Sequence, residues 1–174
     1  MIKNYKFAAL AVMGRCISQM ALAQTHFGMG AGMQGQFHSH FGVDAGKVST
    51  GPFNTFIGQE SGASNQFAND NTFVGYKSGA LNTDGIENTF IGNLAGNVNT
   101  TGFQNVFFGK NTGGANVNGG LNVYLGFEAG AAIAIGTGNC AIGARANYLG
   151  AAGNHNTFLG SQAGEAMRMQ LLTF

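Results

Sequence analysis

Three histidines near the N-terminus, His26, His38 and His40, are the side chains of this 174-residue chain with the best claim to a metal, because an H-x-H pair on a strand puts both imidazoles on one side. No Cys or acidic cluster accompanies them, so they are expected to be solvated or adventitious, and no metal site is assigned. Gly30-Ala31-Gly32-Met33-Gln34-Gly35 fits the G-x-G-x-x-G string, yet it follows no strong strand and opens no helix, which leaves a nucleotide loop without its context. No Ser-His-Asp, Cys-His or paired-carboxylate arrangement stands out, because the Ser and acidic residues sit at variable positions rather than beside a base. No catalytic residue and no cofactor is therefore assigned, and an enzyme is not expected.

What does recur is structural. An Asn is followed four residues later by a Gly, seven times, at a constant interval of 17 residues: Asn54, Asn71, Asn88, Asn105, Asn122, Asn139 and Asn156, with Gly58, Gly75, Gly92, Gly109, Gly126, Gly143 and Gly160. A unit this short cannot bury its own apolar face and must lie against its neighbours, so the chain reads as a stack. Between Asn and Gly stand β-branched and aromatic triplets such as Thr55-Phe56-Ile57 and Thr89-Phe90-Ile91, a strand signal.

A second Gly column follows at 62, 79, 96, 113, 130 and 164, with Asn147 as its exception, which points to a left-handed backbone position there. A third precedes each unit by three residues, with Ala68 as its exception. Each unit thus reads as short strands and turns, one coil of an all-β parallel β-solenoid, with regular coils over residues 54–164 and a tail over 165–174. Residues 24–53 hold weaker versions, Gln24-Thr25-His26-Phe27-Gly28 and His38-Ser39-His40-Phe41-Gly42, which read as degenerate coils or an atypical cap.

The Asn column has two readings: a ladder of side-chain amides bonded from coil to coil at a corner, or a ligand or metal site. Amides alone hold cations poorly, and calcium-binding repeats need an Asp in each unit, whereas Asp44, Asp70 and Asp84 share no column. The ladder is expected. Glu60, Lys77, Lys110, Glu128 and Arg145 fall in the two variable columns after the first Gly, so those columns face water; Gln59, Tyr76, Asn93, Lys110 and Phe127 are the candidate contact face.

Successive strand residues point to opposite faces, so the two apolar columns of the triplet cannot both enter a narrow coil. If Ile57, Val74, Ile91, Phe108, Leu125, Ile142 and Leu159 fill it, then Phe56, Phe73, Phe90, Phe107, Tyr124 and Phe158 form an outer stripe and the candidate oligomer interface. The reverse assignment leaves an aliphatic stripe outside.

Residues 1–23 read as a signal peptide: Lys3 and Lys6, an apolar run too short to span a bilayer, and a small-x-small site at Ala21-Leu22-Ala23. Its removal leaves five basic against seven acidic residues and Cys140 as the one thiol, so no nucleic-acid partner and no membrane span are expected in the mature chain.

Ala141-Ile142-Gly143-Ala144-Arg145-Ala146, flanked seven residues away by Ile135-Gly136 and Leu149-Gly150, resembles the head repeat of trimeric autotransporter adhesins. The N-T-F-I-G-x-x-A-G units resemble a longer-period version in secreted bacterial and tail-fibre-like proteins. The resemblance implies a left-handed β-roll, a homotrimer, and adhesion to a host or matrix surface. Those adhesins also carry a stalk and a membrane anchor, where here residues 165–174 follow the last unit. Ile57-Gly58-x-x-Ser61 is similar to the hexapeptide of left-handed β-helix acyltransferases, which use three such units per coil where this chain has one in most. The expected function is thus a secreted or cell-surface adhesive or structural repeat protein. An ice-binding solenoid, suggested by Thr55, Thr72 and Thr89, a self-assembling filament subunit and an acyltransferase are the alternatives.

Overall fold

A computed structural model describes residues 25–28, 31–32, 37–149 and 153–165; the signal-peptide segment lies outside them. The described residues contain strands and turns and no helix. Nine three-residue strands follow one another: β1 (Thr25–Phe27), β2 (Ser39–Phe41), β3 (Thr55–Ile57), β4 (Thr72–Val74), β5 (Thr89–Ile91), β6 (Val106–Phe108), β7 (Val123–Leu125), β8 (Cys140–Ile142) and β9 (Thr157–Leu159). They form one parallel sheet in chain order. Each strand lies in register on the one before it, so Phe56 faces Phe73 and Phe73 faces Phe90. A parallel pair needs a crossover of about a dozen residues or more. The repeat supplies one by wrapping residues 58–71 once around the interior before the next strand begins. The chain is a β-solenoid, and β1 and β2 extend the same sheet.

The strand alternation resolves opposite to expectation. Phe56, Phe73, Phe90, Phe107 and Tyr124 are 0% exposed and Phe158 is partly buried against them, which corrects their assignment to an oligomer interface. The rings stack one per coil, with centroids 5.1, 4.8, 4.8 and 5.0 Å apart from Phe56 to Tyr124. That interval is the layer height of a hydrogen-bonded sheet, about 4.8 Å, so each flat ring fills one layer. The ring also needs clearance across the coil, and the second Gly column supplies it: a Cβ on Gly62 would lie 2.8 Å from the Phe56 ring.

The coil that departs from this pattern does so twice. Ala141 stands where the other coils of the stack carry a ring, and the same coil has Asn147 in place of the Gly. Both are buried, and Asn147 keeps the left-handed backbone of its column at φ 53°. A side chain at that position must project into the space that the ring takes elsewhere, so the Asn147 side chain replaces the missing aromatic.

The turns carry a second left-handed column. Glu60, Lys77, Leu94, Asn111, Glu128, Arg145 and Gln162 all have φ between 52° and 59°. This conformation costs an L-residue roughly 1–2 kcal/mol. It persists because each of these residues donates its backbone N–H to the preceding coil, as Glu60 does to Val43 at 2.8 Å and Leu94 to Tyr76 at 2.9 Å.

Two substitutions on one strand separate the inner from the outer column. Phe90→Ala is expected to cost about 3–5 kcal/mol of stability in urea unfolding. Ile91→Ser, measured at concentrations where the chain is monomeric, is expected to cost less than about 1 kcal/mol. Equal losses would contradict the inward placement of the ring.

Candidate functional site: an amide-lined interior and an uncharged outer face

Beside the rings, the interior is polar. Asn54 to Asn139 of the Asn column are buried and Asn156, in the last coil, is partly so. Each amide oxygen accepts the backbone N–H of the next Asn at 2.9–3.0 Å, from Asn54 Oδ1 with Asn71 N to Asn139 Oδ1 with Asn156 N. Each Nδ2 from Asn71 to Asn139 donates to the carbonyl of the third Gly column, as Asn88 does to Gly102 at 2.7 Å. The oxygens a cation would need are engaged in this ladder. Among the described residues no group of three or more His, Cys, Asp or Glu is placed to hold a metal ion.

A second amide column, Asn65, Asn82, Asn99 and Asn116, escaped the sequence reading although its 17-residue spacing is plain once the first is known. It is fully buried. Asn82 Nδ2 donates to Asn65 Oδ1 at 2.8 Å, Asn99 to Asn82 at 2.7 Å, and Asn116 to Asn99 at 2.9 Å. The two columns converge: the Gly85 carbonyl accepts from Asn71 and from Asn82, both at 2.9 Å. This explains the third Gly column, since a Cβ on Gly85 would lie 2.3 Å from Asn82 Oδ1. Ile133 ends the second ladder and leaves Asn116 Oδ1 buried without a partner.

Near the irregular coil two further buried polar atoms, Tyr124 Oη and Asn147 Oδ1, have no hydrogen bond. Burial pushes the Tyr124 hydroxyl up to about 12; the Asn139 side chain opposes this without reaching hydrogen-bond geometry.

His38 and His40 overturn the expectation of solvated imidazoles. They do point to one side of β2, and that side is the interior. His40 pairs in register with Phe56 and stacks on it at 4.9 Å, continuing the ring column. The side chain of His26 and most of the Gly30–Gly35 string lie outside the described residues.

Outside, Gln59, Tyr76, Asn93, Lys110 and Phe127 are all exposed in one column, with Lys77 Nζ 5.4 Å from the Tyr76 ring and Lys110 Nζ 5.9 Å from that of Phe127. The neighbouring column pairs Lys77 with Glu60 at 3.3 Å and Arg145 with Glu128 at 2.9 Å. These side chains differ from coil to coil, so the column presents no repeated chemistry. The surface that does repeat is the outer face of the sheet. There Thr55, Thr72, Thr89, Val106, Val123, Cys140 and Thr157 run beside Ile57, Val74, Ile91, Phe108, Leu125, Ile142 and Leu159 without a single charge. Ile57 is 40% exposed, Phe108 51% and Leu159 74%.

Comparison with protein-family models, with curated proteins and with solved structures finds no match to this chain.

Two measurements probe the interior. Ala141→Phe alone overpacks, about 1–3 kcal/mol, and Asn147→Gly alone empties the slot, about 2–4 kcal/mol. The double variant restores the ring-glycine pair and is expected to be at least as stable as the wild type, a non-additivity that a double-mutant cycle reads directly. Additive losses would show that the two positions do not share one space. The raised Tyr124 hydroxyl makes the unfolded chain ionise first, near pH 10, so its contribution is intact below that and is lost as pH rises toward 12. Tyr124→Phe should remove this part of the alkaline slope in stability against pH.

Proposed function

We propose that this chain is a secreted or cell-surface repeat module, structural and adhesive, that works through many weak contacts repeated along the solenoid and self-associates through the outer face of its sheet. The observation that carries the reading is that face: two in-register outward columns over seven coils, apolar or hydroxyl-bearing throughout and free of charge. At ~4.8 Å per strand it rises about 30 Å. A contiguous apolar patch of this kind is unusual on a soluble monomer and is the mark of an interface, and the absence of charge matches the composition of interface centres. The resemblance to trimeric adhesin heads favours three copies. Side chains of the Gln59 to Phe127 column, on the turn next to that face, remain free for a surface ligand. An oligomer presents this column once per copy, so avidity can take the place of one tight pocket.

The in-register Thr55, Thr72 and Thr89 favour one other reading, an ice-binding face. Val106, Val123 and Cys140 interrupt that hydroxyl row, and the column beside it, from Ile57 to Leu159, is apolar throughout. Thermal hysteresis in solution separates the two.

Light scattering tests the main reading. The wild-type chain is expected to run as an oligomer, and Ile91→Lys with Phe108→Lys to run as a monomer with an unchanged circular-dichroism spectrum, since both side chains point away from the core. A monomeric wild type, or an oligomer mass indifferent to the two lysines, would refute it.

A further inference from the structure

We propose that copies of this chain associate front to back: the outer face of the sheet in one copy seats on the opposite face of the next, at the same height along the solenoid. This rests on the self-association proposed above and assigns the second surface that it uses.

The opposite face is built around the second amide column. Asn65, Asn82, Asn99 and Asn116 point inward, so the residues on either side of them turn outward. Ser64, Leu81, Val98, Ala115 and Ala132 form one outward column, and Gln66 to Ala134 at the same interval form the other, none of them buried. Leu81 is 51% exposed and Val117 40%. Backbone bonds hold this face coil to coil, Thr83 N to Thr100 O at 3.0 Å and Thr100 N to Val117 O at 2.8 Å. It lies across the interior from the sheet: Asn71 Nδ2 donates to Asn65 Oδ1 at 3.4 Å, and a Cβ on Gly79 would lie 2.4 Å from the Phe73 ring. Like the sheet face, it carries no charge over the coils of β3 to β7. The charged residues of those coils lie on the turns between the two faces, Glu60, Lys77, Lys110 and Glu128 on one side and Asp70, Asp84 and Glu87 on the other.

The two faces match in size coil by coil. Phe108, the largest outward residue on β3 to β7, shares its coil with Ala115, and Val74, the smallest of its column, shares its coil with Leu81, the largest of the other. Ile57 goes with Ser64, Ile91 with Val98 and Leu125 with Ala132. The members of each pair stand on opposite sides of one molecule, so the compensation serves nothing within a copy. It serves two copies side by side in register, where Phe108 of one meets Ala115 of the next and the interface packs without voids. A front-to-front pair in register would set Phe108 against Phe108 and Val74 against Val74, a collision beside a gap. Phe41 with Val48 and Ile142 with Leu149 depart from the match, which places the contact on β3 to β7. A three-fold set also requires two different patches on every chain, whereas a two-fold pair uses one patch twice. Engaging both faces doubles the area that each copy removes from water and leaves the charged turns at the rim.

Two variants, each blocked on one face, test this by light scattering, with circular dichroism checking that both fold like the wild type. Ile91→Lys with Phe108→Lys blocks the sheet face and keeps the back. Leu81→Lys with Ala132→Lys blocks the back and keeps the sheet face; both of these side chains are exposed, so the coil accommodates lysine there. Each variant alone is expected to be monomeric. An equimolar mixture is expected to double in mass as a one-to-one complex, because the free back of one accepts the free front of the other. A back-face variant that keeps the wild-type mass, or a mixture that stays monomeric, would overturn front-to-back pairing and leave self-association through the sheet standing. A monomeric wild type, or an oligomer indifferent to lysines on the sheet face, would remove that reading and this one with it.

Discussion

The structure depends on one length, the height of a layer. Parallel strands hydrogen-bond at about 4.8 Å, aromatic rings stack at nearly the same distance, and a side-chain amide can reach the next backbone N–H across it. Every feature that repeats in this chain does so because it satisfies that spacing. The ring centroids are 4.8–5.1 Å apart from Phe56 to Tyr124, and the amide oxygens of the Asn column accept at 2.9–3.0 Å from the rung above. The glycines follow from the same constraint, since a flat ring and two converging amides in each layer leave no room for a Cβ at Gly62 or Gly85.

This arrangement inverts a familiar distribution. A large part of the buried interior is amide, and its cost is met by near-complete hydrogen bonding in two ladders. The aliphatic residues of the strands are on the outside instead. A core made of rings and amides is specified by stacking and by hydrogen-bond direction rather than by volume alone, and that frees the outer face of the sheet to be apolar, flat and repeated. Self-association and multivalent contact are the uses such a face suits. The turns do the opposite work, holding residues as varied as Glu60, Leu94 and Asn111 in one left-handed conformation by backbone bonds to the previous coil, so their side chains vary without disturbing the stack.

The irregular places show how strict the layer is. Where Ala141 omits the ring, Asn147 fills the slot, and where Ile133 omits an amide, Asn116 Oδ1 is left without a partner. Histidine at the N-terminal end satisfies the geometry of the ring column while bringing a titratable group into it.

The period, the strand positions, the water-facing turns and the left-handed backbone at Asn147 were all legible in the sequence, because each is a local property of residue type repeated at 17. The second amide column was legible too, in Asn65, Asn82, Asn99 and Asn116, and went unread beside the stronger first one. What only the tertiary structure decided is which of two adjacent apolar columns turns inward. Alternation alone permits both answers, and a single strand contains nothing to choose between Phe56 and Ile57. The choice is made between coils and across them, by rings that fit the layer height and by a glycine six residues on that gives them room.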